Sequence, residues 1–274
     1  MADLVARIAE LWRYPVKSCA GEAVDALTLD ADGWPMGDRV WGIADASGEL
    51  TWMGAHPRLA LVSAVLESAR LMLHAQGRSL SVPLDAGEPV GIRGWNGERQ
   101  DFDHLDAWDA GDDAAALLHA TTGERLRLMR LSPAAQRRSF LNALHLVGDG
   151  SLQAWQESVA LPLGGAAQRV RPNIVLSADD GGPLTPFIED LMAEARVGET
   201  LTLHRTSVCV RCVMSTVDPA TGEPQPIALD ALTRLSAERA PGAPVQFGVY
   251  AHGSGAGVLR VGDHVELTLD FGKA

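Results

Sequence analysis

The densest set of chemistry-bearing residues is the run Cys209-Val210-Arg211-Cys212-Val213-Met214-Ser215-Thr216-Val217-Asp218-Pro219. Two thiols stand three positions apart, with an arginine against the second. A guanidinium beside a cysteine lowers the thiol pKa, and thiolate is the form that binds soft metals. Four readings are open. The pair could be half a zinc site, which needs two more ligands such as His145 or His204. It could be a redox pair, which ought to open a helix after a strand. It could be a single-thiolate metal site whose other cysteine is buried as a small hydrophobe. Or both thiols could be buried and inert. The β-branched stretch at 213–217 and the turn at Asp218-Pro219 speak against the helix of a redox pair.

A second set is cationic. The sequence holds 23 Lys and Arg, of which only Lys17 and Lys273 are lysines, against 35 Asp and Glu, for a net charge of −12. A field of that sign repels nucleic acid and anionic membranes, so neither is expected as a partner. An anionic ligand must then find a local basic pocket. In a chain that avoids lysine, Lys17 suggests a place where a compact ammonium is wanted. The 21 arginines are the other cations such a pocket could draw on, Arg39 and Arg171 among them. Arg39 could instead pair with Asp38 or Asp45, and Arg171-Pro172 could simply start a strand.

These residues have to be positioned by a chain of 274 residues, 46% hydrophobic and 21% charged, which is ordinary globular usage. No apolar run approaches a membrane span, and the first ten residues carry Asp3 and Glu10, so a cytoplasmic protein is expected. Three cysteines without a secretory signal argue against a disulfide framework. Strand patterns occupy 5–14, 24–29, 40–44, 59–66, 70–74, 79–82, 125–131, 144–147 and 170–176. Helical spacing marks 109–122, 151–158 and 227–239. Segments 197–203 and 261–267 resemble each other, each a turn followed by an alternating strand, as in an antiparallel barrel or sandwich. A change of texture near 125–135 divides the chain.

The run from Arg211 to Gly222 closely resembles the cysteine motif of MOSC-domain proteins. Tyr14-Pro15-Val16-Lys17-Ser18 resembles the Y-P-V-K-S motif of the N-terminal β-barrel domain that precedes MOSC, and Asp38-Arg39-Val40-Trp41 resembles its D-R-x-W element. Arg171-Pro172-Asn173-Ile174-Val175 and Phe247-Gly248-Val249-Tyr250 match two more MOSC elements. Five motifs in order span nearly the whole chain. The resemblance implies an α+β, β-rich fold: an N-terminal β-barrel-like domain over 1–125 and a MOSC β-barrel domain with short helices over 126–274. It also implies a molybdenum cofactor (Mo-molybdopterin). Cys212 matches the metal ligand, with Cys209 a buried accessory and Cys19 structural. Lys17, Ser18, Arg39, Arg171, Asn173, Arg211 and Tyr250 match cofactor contacts. Tyr250 could also be an ordinary strand aromatic. Val210 stands where relatives often carry a small polar residue, so only its backbone could serve. Leu141-Asn142 stands where they often show a polar pair, and Asn142 is the candidate substitute.

Among proteins with these motifs, the chain resembles amidoxime-reducing components. The implied activity is the reduction of N-hydroxylated small molecules such as amidoximes, hydroxylamines and N-hydroxy bases. Three cysteines cannot ligate a four-thiolate cluster, so electrons are expected from a separate protein: a ferredoxin, a cytochrome b5-like protein or a flavin reductase. The alternative is a cofactor carrier or sulfur-transfer module without reductase activity.

Overall fold

The computed structural model describes residues 2–85, 87–138, 142–160 and 162–272; Leu141 and Lys273 lie outside them. No helix among the described residues is long and apolar enough to cross a membrane.

Seven strands close into a barrel in the order Ile174–Ala178, Leu144–Gly148, Gln246–Gly253, Leu201–Val210, Met192–Val197, His264–Leu269 and Leu4–Arg13, the last pairing back onto the first. Closure leaves no unpaired sheet edge around the ring. The alternation that marks a half-buried strand supplies the core: Leu201 and Leu203, Ala195 and Val197, Val265 and Leu267 all point inward. The two look-alike segments lie on this wall, where Val197 pairs with both Leu201 and Val265. All pairings are antiparallel except that of Leu144–Gly148 with Ile174–Ala178. That parallel pair needs a crossover, which the helix Asp149–Glu157 begins. The strand Leu4–Arg13 is thus one stave of a barrel otherwise built from residues 144–269.

Residues 41–131 build a four-stranded sheet (Trp41–Ala44, Arg127–Leu131, Asp101–Asp109, Glu88–Asn96) and a three-stranded one (Ser63–Leu66, Arg70–Ala75, Arg78–Pro83). Helix Asp112–Thr122 covers them with Ala114, Leu117 and Leu118, and Gly123 ends it in a left-handed C-cap at φ 81°. The architecture is β-rich with a few short helices.

Three segments depart from the sequence pattern. The run 59–66 splits into a 3₁₀ turn, Pro57–Leu61, and a strand, Ser63–Leu66, because Pro57 sets φ for a helical first turn. The run 170–176 is the end of a helix, Ala166–Val170, followed by a strand that starts only at Ile174. The hairpin Glu88–Asn96/Asp101–Asp109 has no strong strand signal, since Gly91, Gly94 and acids at 101, 103 and 106 are poor strand formers.

A cleft built from both halves

Hydrogen bonds between short segments bring the motifs together. Leaving the barrel at Arg13, the chain runs past Arg39–Trp41: Arg39 N donates to the Tyr14 carbonyl (2.7 Å), Trp41 N to that of Pro15 (3.0 Å) and Lys17 N to that of Trp41 (2.8 Å). Asp38, 4% exposed, joins the halves. Its Oδ1 accepts from Tyr14 N (2.7 Å) and Asn173 Nδ2 (3.2 Å), and its Oδ2 accepts from Arg39. Asn173 in turn ties Trp12 and His145: its Nδ2 donates to Trp12 O (3.2 Å) and its Oδ1 accepts from His145 N (3.2 Å).

The buried ring of Tyr14 carries two guanidiniums, that of Arg171 at 4.2 Å and that of Arg39 at 5.0 Å from its centroid. Arg171 also donates from Nη1 to the Cys19 carbonyl (2.5 Å). Ser18, Arg39 and Arg171 all adopt positive φ, at 72°, 51° and 59°. Such backbone costs about 1–3 kcal/mol per residue and persists only where surrounding contacts over-determine it. Three left-handed non-glycine residues gather at this one place, held by the contacts around them.

The cysteine loop leaves the strand Leu201–Val210, whose pairing with Gln246–Gly253 shifts register at Arg205/Ser207 and again at Val208/Val210. Such bulges re-aim side chains. Cys209 turns inward at 1% exposure, while Cys212 caps the 3₁₀ turn Val213–Thr216 and is exposed. Arg169, 2% exposed and unread in the sequence, pins the loop that follows. Its guanidinium donates to Thr216 O (3.0 Å), Asp218 Oδ2 (2.9 Å) and Gln225 Oε1 (2.7 Å).

The arginine beside Cys212 does not give it a hydrogen bond. Arg211 Nη1 donates to Cys209 Sγ at 2.9 Å, and Nη2 to the Val170 carbonyl at 3.2 Å. Burial alone would push the Cys209 thiol up. Arg211, His145 and hydrogen bonds from His145 and Tyr250 overcome it and bring the thiol down to about 5. Tyr250 is correspondingly raised, by its own burial and then by the Cys209 charge. The zinc reading fails on grouping: His204 bonds Glu194 instead, and no three His, Cys, Asp or Glu side chains gather as a metal site among the described residues.

All ten expected site residues (Lys17, Ser18, Arg39, Asn142, Arg171, Asn173, Val210, Arg211, Cys212 and Tyr250) line one cleft of about 650 Å³. Val210 is 53% exposed there, and Asn142 Oδ1 accepts from Thr206 Oγ1 (3.1 Å). The pairing of Arg39 with Asp38 does occur, but inside this cleft rather than at an isolated surface position. His145, weighed in the sequence only as a zinc ligand, lines it too, as do Asp38, Arg138, Trp52 and Trp95, which were not picked as site residues. Only Asp38 had a signal, as the first residue of the D-R-x-W element. The cleft is crowded with cations. Burial, then Arg138, Arg171 and Arg39, bring the Lys17 ammonium down to about 8. Burial, with help from Arg39, brings Arg171 down to about 10.

Comparison with known proteins agrees with this picture. The MOSC N-terminal beta barrel domain matches residues 5–125, and the MOSC domain matches residues 137–266. Mitochondrial amidoxime-reducing component 1 of Mus musculus is 29% identical, over 96% of this chain and 82% of that protein. Mitochondrial amidoxime reducing component 2 of Homo sapiens is 28% identical, over 95% and 83%. Molybdenum cofactor sulfurase of Drosophila mojavensis is 28% identical over 89% of this chain, which spans only 31% of that protein's length. With its barrel, its cleft and two family domains that follow one another along the sequence, the chain belongs to the MOSC family as a protein with both the N-terminal barrel domain and the MOSC domain.

Proposed function

We propose that this protein holds a molybdenum cofactor through the thiolate of Cys212 and reduces N-hydroxylated small molecules. The observation that carries the reading is the cleft itself, where an exposed thiol faces a cationic wall drawn from both halves. The donor set fits a dianionic phosphate on a polar pterin. Ser18 Oγ and Arg171 Nη2 are buried and have no hydrogen-bond partner among the described residues. Leaving buried donors unmade costs about 1–3 kcal/mol each, so a bound acceptor would relieve both. Lys17 and Arg171, depressed by burial and by mutual repulsion, still carry their charges at neutral pH.

Cys212 is the metal-ligating residue. Lys17, Ser18, Arg39 and Arg171 hold the phosphate side by charge-assisted hydrogen bonds. Asn173, Arg211, Tyr250, Asn142 and the Val210 backbone line the remainder of the cofactor's path. When bound, the cofactor supplies the two-electron chemistry that cleaves an N–O bond. The protein's own contribution is to bind, to orient and to keep Lys17 Nζ, donating to the Thr51 carbonyl at 3.1 Å, as a fixed cation in the cleft. In this reading the electrons come from a separate electron-transfer protein such as a ferredoxin, a cytochrome b5-like protein or a flavin reductase, as the similarity to amidoxime-reducing components suggests. We place the protein in the cytoplasm.

The match to a cofactor sulfurase supports a second reading, a carrier or sulfur-transfer module. Purification from a host that makes the cofactor separates the two. Molybdenum near one per chain together with reduction of benzamidoxime by an artificial donor supports the reductase, and a Cys212→Ser variant should lose both. Molybdenum without turnover of any amidoxime, hydroxamic acid or N-hydroxy purine favours the carrier. Full activity in Cys212→Ser removes the mechanism.

A further inference from the structure

The cleft has a second surface unlike its cationic one. Trp52 and Trp95 both line it, and neither has a task in binding the cofactor. They are 37% and 44% exposed. Exposed indoles are retained against the hydrophobic effect, and grouped exposed apolar surface marks a binding site. The two come from neighbouring backbone. Glu49 and Arg93 form a parallel bridge, with Leu50 N donating to Arg93 O (2.7 Å) and Arg93 N to Gly48 O (2.9 Å). Trp52 lies three residues beyond that bridge on one segment and Trp95 two residues beyond it on the other.

Each indole is held in advance of any ligand. Trp95 is propped by the Phe102 ring, edge-on at 5.2 Å and 73°, and its carbonyl accepts from Arg138 Nη1 at 3.4 Å. Trp52 lies against Gly54, where an added Cβ would come within 2.3 Å of the indole. The glycine therefore leaves room for that ring position. Trp52 also follows Thr51, the residue whose carbonyl anchors Lys17 Nζ. The aromatic wall thus begins one residue from the cationic one. A preformed wall gives up little side-chain freedom on binding.

Building on the reductase reading, we propose that Trp52 and Trp95 are specificity-determining residues that stack on the planar body of an aromatic N-hydroxylated substrate, giving this protein a preference for aromatic over aliphatic N-hydroxy compounds. Indole faces favour offset or edge-to-face contact with another π-system, a gain that an alkyl group cannot match. Met214 and Val210, also on the cleft, extend the apolar surface.

The test compares benzamidoxime with acetamidoxime on molybdenum-loaded protein with an artificial electron donor, so that no partner protein is involved. In Trp52→Ala and Trp95→Ala, kcat/KM for benzamidoxime should fall roughly threefold to tenfold, mainly through KM, while that for acetamidoxime stays within about twofold. Trp52→Phe should recover most of the loss. Molybdenum content should match that of the parent, since the indoles do not hold the cofactor. A second arm follows quenching of tryptophan fluorescence by benzamidoxime, which should saturate in the parent and weaken in each alanine variant. Equal losses on both substrates, or saturable quenching that survives both alanine variants, overturn the proposal and point to the indoles docking something else. If the parent reduces neither compound, the reductase reading fails, and the quenching arm still decides whether the wall binds a planar aromatic.

Discussion

The buried thiol rather than the exposed one gives the sharpest physical test of this site. Cys209 Sγ lies 2.9 Å from Arg211 Nη1. At an effective dielectric of about 20, a charge pair at that separation of 2.9 Å is worth roughly 5–6 kcal/mol, or about four pH units. That matches the fall of the thiol from its usual 9.0 to about 5, with the hydrogen bonds from His145 and Tyr250 offsetting the cost of burial. A Cys212→Ser background leaves two thiols, and Cys19 is silent because burial pushes it up to about 12. Thiolate absorbs near 240 nm. The folded Cys212→Ser protein should show one thiolate at pH 7 that disappears as pH falls through about 5. Adding Arg211→Gln removes the largest lowering influence and leaves His145 and Tyr250 to oppose burial, so the midpoint should move back up toward the usual thiol value and the pH 7 band should vanish. Adding Cys209→Ala should abolish the band at every pH below 10. The linkage has a definite sign. A thiol depressed from 9.0 to about 5 contributes stability fully above pH 9, and that contribution is lost as pH falls toward 5. Relative to Cys209→Ala in the same background, Tm should therefore decline across that window. Absence of a 240 nm band at pH 7, or a band that Arg211→Gln leaves in place, refutes the ion pair.

Three further outcomes follow from the cleft. Asp38→Asn keeps one oxygen for Tyr14 N and Asn173 but removes the charge and the second oxygen that Arg39 uses, and should cost about 2 kcal/mol in urea unfolding, below the full value for a buried pair because Arg39 is 33% exposed; an unchanged midpoint would show that the ion pair is dispensable. Tyr14→Phe should be neutral or slightly stabilising, since the phenol oxygen is buried without a partner among the described residues, whereas Tyr14→Leu should lose about 2 kcal/mol with its two guanidinium contacts. Calorimetry of inorganic phosphate on cofactor-free protein should show affinity falling as pH rises through about 8, where Lys17 loses its charge, and Lys17→Met should flatten that dependence.

Much of this was legible in the residues and some of it was not. The resemblance of the chain's motifs to those of MOSC proteins named ten positions, and these share one cleft. Tyr14 was read only as part of a string, yet its ring is what carries Arg39 and Arg171; a cation–π clamp joining residues more than 100 positions apart leaves no periodicity. Arg169 was invisible for the same reason, since the three partners through which it pins the loop lie 47 to 56 residues away. Arg211 was expected to act on its neighbour Cys212. Its hydrogen bond goes to Cys209, which is turned inward, while it reaches Cys212 through charge alone. The hairpin that carries Trp95 escaped because glycines and acids dilute its alternation.

The way the halves are joined also decides what kind of site this is. The first strand is a stave of the barrel, hydrogen-bonded on both sides, and it runs directly into Tyr14 and Lys17. Trp12 and Asn173 exchange two hydrogen bonds, Asp38 bonds Asn173, and Arg171 bonds the carbonyl of Cys19. Opening the cleft along the line between the halves would break these contacts together and bare Arg171 and Asp38, which are 6% and 4% exposed. Motions of that cost belong to global unfolding rather than to the low-energy loop openings that act as lids. The cleft is therefore preformed, and its three left-handed residues are the local strain that such rigidity sustains. An anionic ligand entering it would meet donors already aimed, which is the arrangement that lowers the ordering cost of binding.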